Sequence, residues 1–559
     1  MAGFGKRLIH HYLLDTALPY ISNASVVEPR PHYKSGTNCL TSLRGEIARR
    51  PGFAADTNQT FTGNVSRIFT WQRWNGVRYK VICTTSSVSG ASDIWKLQIG
   101  PETTYSQIFT SAATSTAFDF VVSRNYLFWG NSAAMRKWDG TTIYTWGLSA
   151  GSAAPTSSSV AGGSISAVNG GYRWRYAFGS TTSGHIGEIS ARSTISGNFN
   201  NLNQVITGSV SPEASVDGRP GLDQVHIYRT ADNGATYFEL PNSPVTYSAS
   251  WSITDSATDN TLTTTQASLP DQNEPAPTMR GLTFHAGRLW GFNNDLVYFS
   301  NFEEQINGVE EESFANTNFF SFGQVITGLA VIQRALLVFT PGTIFRIRGD
   351  SLLTFLREPF LNRMGVTSVA NIAHGGGRHV AWLDTAGTIY TTDGVGVQEI
   401  GLPIRSDLAA IDQTLSSIAF HSDGVTNWLI VQDSGQDRMW VYDLDNGIWN
   451  VPWSIGGSAA HSGETATGVY SMLLGRSRRP LILDTAIFQD LAVSYTAGLR
   501  TNLMELGQGK GPGEVGNLEY MAVERNAQAL GDVGFLQDED VATGTYTTIF
   551  ANRQDPPNR

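Results

Sequence analysis

The feature that most constrains this chain is a recurring strand, turn, strand unit: a short aromatic or β-branched run, a turn of Gly, Asn or Asp, and a second run. Its clearest copies are YLFWGNSAAMRKWDGTTIYTW (126–146), GRLWGFNNDLVYFSN (287–301), RALLVFTPGTIFRIRGD (334–350), RHVAWLDTAGTIYTTDG (378–394), NWLIVQDSGQDRMWVYDLDNGIWNVPW (427–453) and YSMLLGRSRRPLILDTAIF (470–488). The last five begin at 287, 334, 378, 427 and 470, so they are offset by 47, 44, 49 and 43 residues. A four-stranded sheet with its connections takes roughly 40 to 50 residues, and one such sheet cannot bury both faces alone, so this spacing predicts radially stacked blades. SRIFTW and RYKVICTT (66–85) supply an earlier unit. The reading is an all-β chain built as a β-propeller of six or seven blades.

The even spacing breaks between Trp146 and Gly287. The break opens on GLSAGSAAPTSSSVAGGS (147–164), which has the composition of a linker. Strand candidates follow in YRWRYAFG, EISARST, QVITGSV, DQVHIYRT, TYFEL and SASWSITDS, enough for an inserted β-sandwich. SLPDQNEPAPTMRG (268–281) reads as the return linker. Pro29 and Pro31 lack ladder donors, so the first residues read as an extended N-terminal arm. The expected division is an arm over 1–60, a first propeller part over 61–146, the sandwich with its linkers over 147–281, a second propeller part over 282–498, and a C-terminal β segment or tip over 499–559.

Charge narrows the function classes. Lys plus Arg number 38 against 48 for Asp plus Glu, a formal charge of -10, and no run of basic residues reaches the density of a nucleic-acid arm. Tight DNA binding is not expected, whereas DNA sliding past a net negative protein would stick less. Cys39 and Cys83 are the only cysteines, which provides no disulfide framework and fits a reducing compartment. The opening residues carry no signal-peptide apolar core, and no apolar run reaches 18 residues, so no membrane span is expected.

The motifs of chemistry fail on inspection. His374-Gly375-Gly376-Gly377 spells part of a lipase oxyanion hole, but no Gly-x-Ser-x-Gly nucleophile elbow accompanies it, and the segment reads as a loop joining two blades. Thr230 to Tyr237 resembles an Asp-box turn, in which Asp232 would cap the turn and Gly234 would take the positive φ. Asp443, Asp445 and Gly447 start like a calcium loop, but Ser454 stands where the bidentate Glu is required. The Gly-rich run 507–516 lacks the ending of a phosphate loop, and there is no HExxH. No cofactor, metal site or catalytic residue is expected. Arg44, Arg49 and Arg50, beside Pro51 and Phe53, form the densest charge feature of the arm and are the candidate contact with an acidic neighbouring subunit, since arginine forks grip carboxylates. Arg476, Arg478 and Arg479 read as solvated residues of a hairpin tip.

In their order along the chain, five segments resemble the nozzle, or tail tubular B, proteins of short-tailed bacteriophages, also called tail stabilization proteins. They are NCLTSLRGEIARRPGF (38–53), HAGRLWGFNNDLVYFSNFEE (285–304), ITGLAVIQRALLVFTPGTIFRIRGD (326–350), MGVTSVANIAHGGGRHVAWLDTAGTIYTTDG (364–394) and MWVYDLDNGIWNVPW (439–453). The resemblance implies a structural, non-enzymatic subunit of the virion tail, assembled in the host cytoplasm. It further implies a homohexameric ring beneath an adaptor ring, extending the channel for DNA ejection without specific DNA binding and carrying tail fibres or spikes. A competing class is a carbohydrate-binding or depolymerising propeller of the virion, whose concave face would join Trp and Tyr to converging carboxylates. A trimeric receptor-binding fibre tip is a third.

Overall fold

A computed structural model describes residues 33–501 apart from 42–46, 87–89, 112–115, 132, 182–184, 210, 212–221, 266–272 and 302–312, together with four two- to four-residue strands beyond residue 503. The chain is an all-β protein, a β-propeller interrupted by a β-sandwich. Among the described residues no helix is long and apolar enough to cross a membrane.

Among the described residues seven blades follow one another, the first six as antiparallel meanders. Blade 1 is Asn64–Gln72, Arg78–Thr85, Ser92–Gln98 and Ser106–Ser111. Blade 2 is Asp119–Ser123, Tyr126–Gly130, Met135–Trp138 and Ile143–Thr145. Blade 3 is Arg280–His285, Arg288–Asn293, Leu296–Phe299 and Phe319–Ser321. Blade 4 is Gly328–Ile332, Ala335–Phe339, Thr343–Arg348 and Leu356–Asn362. Blade 5 is Ile372–Gly375, His379–Leu383, Ile389–Thr392 and Val397–Glu399. Blade 6 is Ser416–Ser422, Asn427–Asp433, Arg438–Asp443 and Ile448–Trp449. Blade 7 takes Ala459–Glu464, Tyr470–Arg476 and Arg479–Asp484 from the end of the series and its fourth strand, Gly52–Ala55, from near the start of the chain. Gln489–Asp490 and Val493–Ser494 extend that last sheet to six strands.

The chain divides into two compact units. The first holds the described parts of Met1–Ala117, Ala330–Arg348 and Leu356–Arg559; the second holds those of Phe118–Leu329 and Gly349–Phe355. In the first unit the blades share cores in sequence order. Leu337, Phe339, Val380 and Trp382 join blades 4 and 5. Ala381, Leu383, Leu429 and Val431 join blades 5 and 6. Trp428, Ile430, Met472 and Leu474 join blades 6 and 7, and Val65, Ile82, Ala459 and Leu473 join blades 7 and 1. Alternate residues of one strand thus serve two cores: in NWLIVQD, Leu429 and Val431 point to blade 5 while Trp428 and Ile430 point to blade 7. A strand covered on both faces reads as an unbroken apolar run, which is why these blades are visible in the sequence.

The second unit contains blades 2 and 3, packed through Phe128, Trp146, Met279 and Leu289, and the sandwich. One sandwich sheet is formed by Thr156–Ala167, Phe199–Thr207 and Ser252–Asp255, the other by Trp174–Gly179, Ile186–Ile189, Gln224–Thr230, Tyr237–Glu239 and Val245–Thr246. They enclose Trp174, Tyr176, Ile206, Ile227 and Trp251.

The structure corrects several expectations. Half of the stretch read as a linker belongs to the twelve-residue strand Thr156–Ala167, whose side chains are largely exposed and whose stability comes from its ladder with Phe199–Thr207. The arm expected over 1–60 is, in its described part, woven into the first unit: Tyr33–Thr37 pairs with Gly498–Thr501, and Gly52–Ala55 is a blade strand. The former pairing also brings the start of the expected C-terminal segment into that unit. The His374 glycine run does not join two blades; it is the hairpin between the first two strands of blade 5, with Gly376 and Gly377 at φ of 60° and 76°. The Gly-rich run 507–516 lies outside the described residues.

Candidate functional site

The residues singled out in the sequence converge on the place where the N-terminal segment closes blade 7. Gly52–Ala55 lies antiparallel to Leu481–Asp484 on one side, and on the other Phe53 meets Asp490 in a parallel pairing. The second approach is close enough to require glycine: a Cβ on Gly52 would stand 2.1 Å from the Gln489 carbonyl oxygen. Phe53 is fully buried against Trp453, with ring centroids 6.4 Å apart and near edge-on.

Arg50 sits beneath this strand with a side-chain exposure of 0%. Its fork donates to both oxygens of Asp490, Nη1 to Oδ1 at 2.9 Å and Nη2 to Oδ2 at 2.5 Å, while Nε donates to Asn38 Oδ1 at 2.8 Å. Nη1 also donates to the Pro51 carbonyl at 2.9 Å, and the guanidinium lies 3.8 Å over the Tyr495 ring. Asp490 Oδ1 additionally accepts the Phe53 amide at 3.1 Å. A buried charge persists only when paired and hydrogen-bonded, and this set meets that condition. Asn38, at a φ of 58°, ties the seam to the end of blade 6: its amide donates to the Pro452 carbonyl at 2.9 Å, and its Nδ2 to the Ser454 hydroxyl at 2.8 Å and the Thr496 carbonyl at 2.7 Å. The Tyr495 hydroxyl donates to the Arg50 carbonyl, and burial raises its pKa against the lowering influence of Arg50 and Arg49.

The other end of the same strand is anchored by a second buried pair. Asp56 accepts from Lys80 at 2.7 Å and from the Tyr105 hydroxyl at 2.8 Å, both in blade 1 or its outer loop, and from the Ala466 amide of blade 7 at 3.0 Å. Burial lowers the Lys80 pKa, with Asp56 opposing, and raises that of Tyr105. Nearby, burial and then the Lys80 charge push His461 down to about 4, and its Nε2 lies 3.0 Å from the Thr70 hydroxyl.

The fork expected to grip an acidic neighbouring subunit therefore grips Asp490 of its own chain, and Arg50 and Phe53 are not presented to a partner. Arg49 is partly exposed, stacks 4.4 Å over Tyr495 and donates to the Tyr495 carbonyl; Pro51 is half-buried, and Arg44 lies outside the described residues. Sequence reasoning missed Asn38, Asp56, Lys80, Asp490 and Tyr495: nothing local marks a partner 440 positions away, as in Arg50 and Asp490, and even Asp56 and Lys80, 24 apart, carry no spacing signal that they meet.

The other motifs are turns. Asp443 Oδ1 accepts the amides of Asp445 and Asn446, both at 3.0 Å, and Gly447 has a φ of 68°. In the suspected Asp-box, Asn233 and not Gly234 takes the positive φ, at 59°. Asp232 turns away from its own hairpin to accept the amides of Val168, Asn169 and Gly171 at 2.7, 2.7 and 2.8 Å, and these bonds lower its pKa although its burial opposes them. Arg476 pairs with Asp437, while Arg478 and Arg479 bond the Phe61 carbonyl and the Thr60 hydroxyl. Both cysteines are buried, and the Ser66 hydroxyl donates to Cys83 Sγ at 3.4 Å. Among the described residues no group of His, Cys, Asp and Glu is arranged to hold a metal ion.

No protein-family model and no curated protein matches this chain. Solved structures similar to it include Sqt1 from Chaetomium thermophilum, at 11% identity and a TM-score of 0.29 over 77% of this chain and 97% of that one. Others are AztD from Citrobacter koseri, at 9% identity and a TM-score of 0.30 over 70% and 86%, and Hsv2 from Kluyveromyces lactis, at 9% and 0.25 over 70% and 97%. The class defined by the chain's own sheets is a β-propeller carrying an inserted β-sandwich.

Proposed function

We propose that this chain is a structural, non-catalytic subunit of the tail of a short-tailed bacteriophage: a ring-forming nozzle protein that extends the DNA-ejection channel below the adaptor and supports fibre or spike attachment. The observation that carries this reading is where the five resembling segments fall. In their described parts, segment 38–53 forms the seam, and the segments at 285–304, 326–350, 364–394 and 439–453 are strands and turns of blades 3, 4, 5 and 6. The shared pattern is thus a pattern of framework residues, as expected of a protein whose task is mechanical. A seam that buries two ion pairs and threads one strand between segments from the far end of the chain resists the peeling that a pressurised conduit would impose. The net charge of -10 disfavours adhesion of passing DNA. In this reading the chain assembles in the host cytoplasm as a hexamer and ends in the virion tail. Electron microscopy of the purified chain with and without the adaptor tests it: rings that stack on the adaptor are expected, and particles indifferent to the adaptor would refute it.

A further inference from the structure

In a meandering blade, the turn between strands one and two and the turn between strands three and four lie at the same end, and the middle turn lies at the other. In the first unit the two ends differ in character. At the paired-turn end stand Trp74 at 77% exposure in blade 1, Val395 at 83% in blade 5, Val425 at 86% and Leu444 in blade 6, and Val469 at 63% in blade 7. These are held on stiff turns. Asp393 Oδ1 accepts the Val395 and Gly396 amides, both at 2.9 Å, and Asp423 Oδ1 accepts the Val425 and Thr426 amides at 2.9 and 2.7 Å. Gly394, Gly424 and Gly468 take positive φ of 94°, 86° and 85° beside the valines. Apolar side chains on preordered turns lose little entropy when covered.

Around these valines the charge is acidic: Asp393 on blade 5, and Asp423, Asp443 and Asp445 on blade 6. The basic groups of this end include Arg334 and Arg378 at the first hairpins of blades 4 and 5 and Arg73 and Arg78 at that of blade 1, where Arg78 pairs with Glu464 of blade 7 at 2.5 Å. At the opposite end of blades 6 and 7 the middle turns carry Arg438, Arg476, Arg478 and Arg479, beside Asp437, which Arg476 engages at 2.5 Å, and the buried Asp433, which accepts the Gly435 amide at 2.8 Å.

We infer that these two ends are complementary halves of one contact between copies of this chain: the acidic, valine-tipped turns of blades 5 to 7 on one copy meet the arginine turns of blades 6 and 7 on the next. The inference rests on the reading of the chain as a self-assembling ring subunit. Two different patches of one chain make a heterologous interface, which closes into a ring when its rotation permits and otherwise extends as a filament. The valines supply area that is dry once covered, and the opposed charges set register and exclude the inverted pairing.

Two variants of the full chain test it without touching a turn cap: Val425→Lys with Val469→Lys at one end, and Arg438→Glu with Arg479→Glu at the other. Circular dichroism melts check that each still folds. Each variant alone is expected to raise the concentration needed for assembly at least about tenfold, a loss of roughly 1.4 kcal/mol per contact. Mixed together, the two retain one intact acidic patch and one intact arginine patch between them and are expected to form one-to-one dimers and nothing larger. Variants that assemble like the native chain, or a folded mixture that forms no dimer, would overturn the inference while leaving the ring reading intact. A native chain that stays monomeric would overturn both.

Discussion

The seam of blade 7 and the core of the sandwich solve the same problem with nearly the same parts. Each buries an arginine fork on an aspartate under an aromatic face: Arg50 with Asp490 and Tyr495 in one, Arg229 with Asp255 and Tyr172 in the other. In both, the aspartate does further work: Asp490 holds the Phe53 amide, and Asp255 accepts from the Trp174 indole at 3.0 Å. What differs is the chain between the partners, 440 residues at the seam and 26 in the sandwich. Closing a longer loop costs more entropy, though only logarithmically, so the seam needs anchors on both sides of one short strand. The sandwich pair reinforces an element whose strands are already close in sequence, whereas the seam pair fastens one unit's beginning to its end.

That contrast can be broken most severely by removing the seam. Deleting the residues before Asp56 takes away Arg50, the fully buried Phe53 and the fourth strand of blade 7. The loss exceeds the roughly 3 to 5 kcal/mol of a buried phenylalanine alone, and limited proteolysis is expected to cut within 459–484. Next come the aspartates. Asp490→Ala leaves Arg50 buried without its counter-ion, at a cost of about 3 to 5 kcal/mol, whereas Asp255→Ala leaves Arg229 its second partner, Asp259 at 3.0 Å, and should cost less. Hydrogen exchange should separate them: amides of 52–55 and 479–484 should speed up in the first, and those of the sandwich strands in the second. Loss of protection throughout both units from either change would contradict a division of labour between them.

A pH titration sharpens the account further. His461 is held down to about 4 in the folded state, from an ordinary value of 6.5. Above pH 6.5 neither state is protonated there and the full stability is present. Between 6.5 and 4 the unfolded chain takes up a proton that the folded chain refuses, so stability falls, by up to about 3 kcal/mol and less to the extent that the ring edge meets solvent. His461→Gln should flatten that portion of the melting temperature against pH, and an unchanged profile would remove His461 as its cause. The smallest effect is at a turn: Asp393→Ala removes two hydrogen bonds on the surface of blade 5 and should lower the midpoint of a denaturant titration only slightly, with no change in slope.

The blades were legible in the sequence because their second strands, such as ALLVF, HVAWL and NWLIVQD, are covered on both faces and stay apolar along their length. The strand Thr156–Ala167 was not, because its Ser, Gly and Ala residues face solvent and leave no period to read. At the candidate site, the arginines beside Pro51 stood out by charge density, but their role could not be read. Whether an arginine fork meets a neighbour or its own chain depends on where Asp490 arrives, and that is a property of the fold. Likewise the Asp-box pattern gave the right turn and the wrong donor set, since Asp232 looks outward to the loop at 168–171.

The most direct test of the functional account is the native mass of the purified full chain, measured across a range of concentrations. The account predicts a discrete species of six copies that dissociates as the contacts between blade ends are weakened. A folded chain that remains a single copy at every concentration would contradict it.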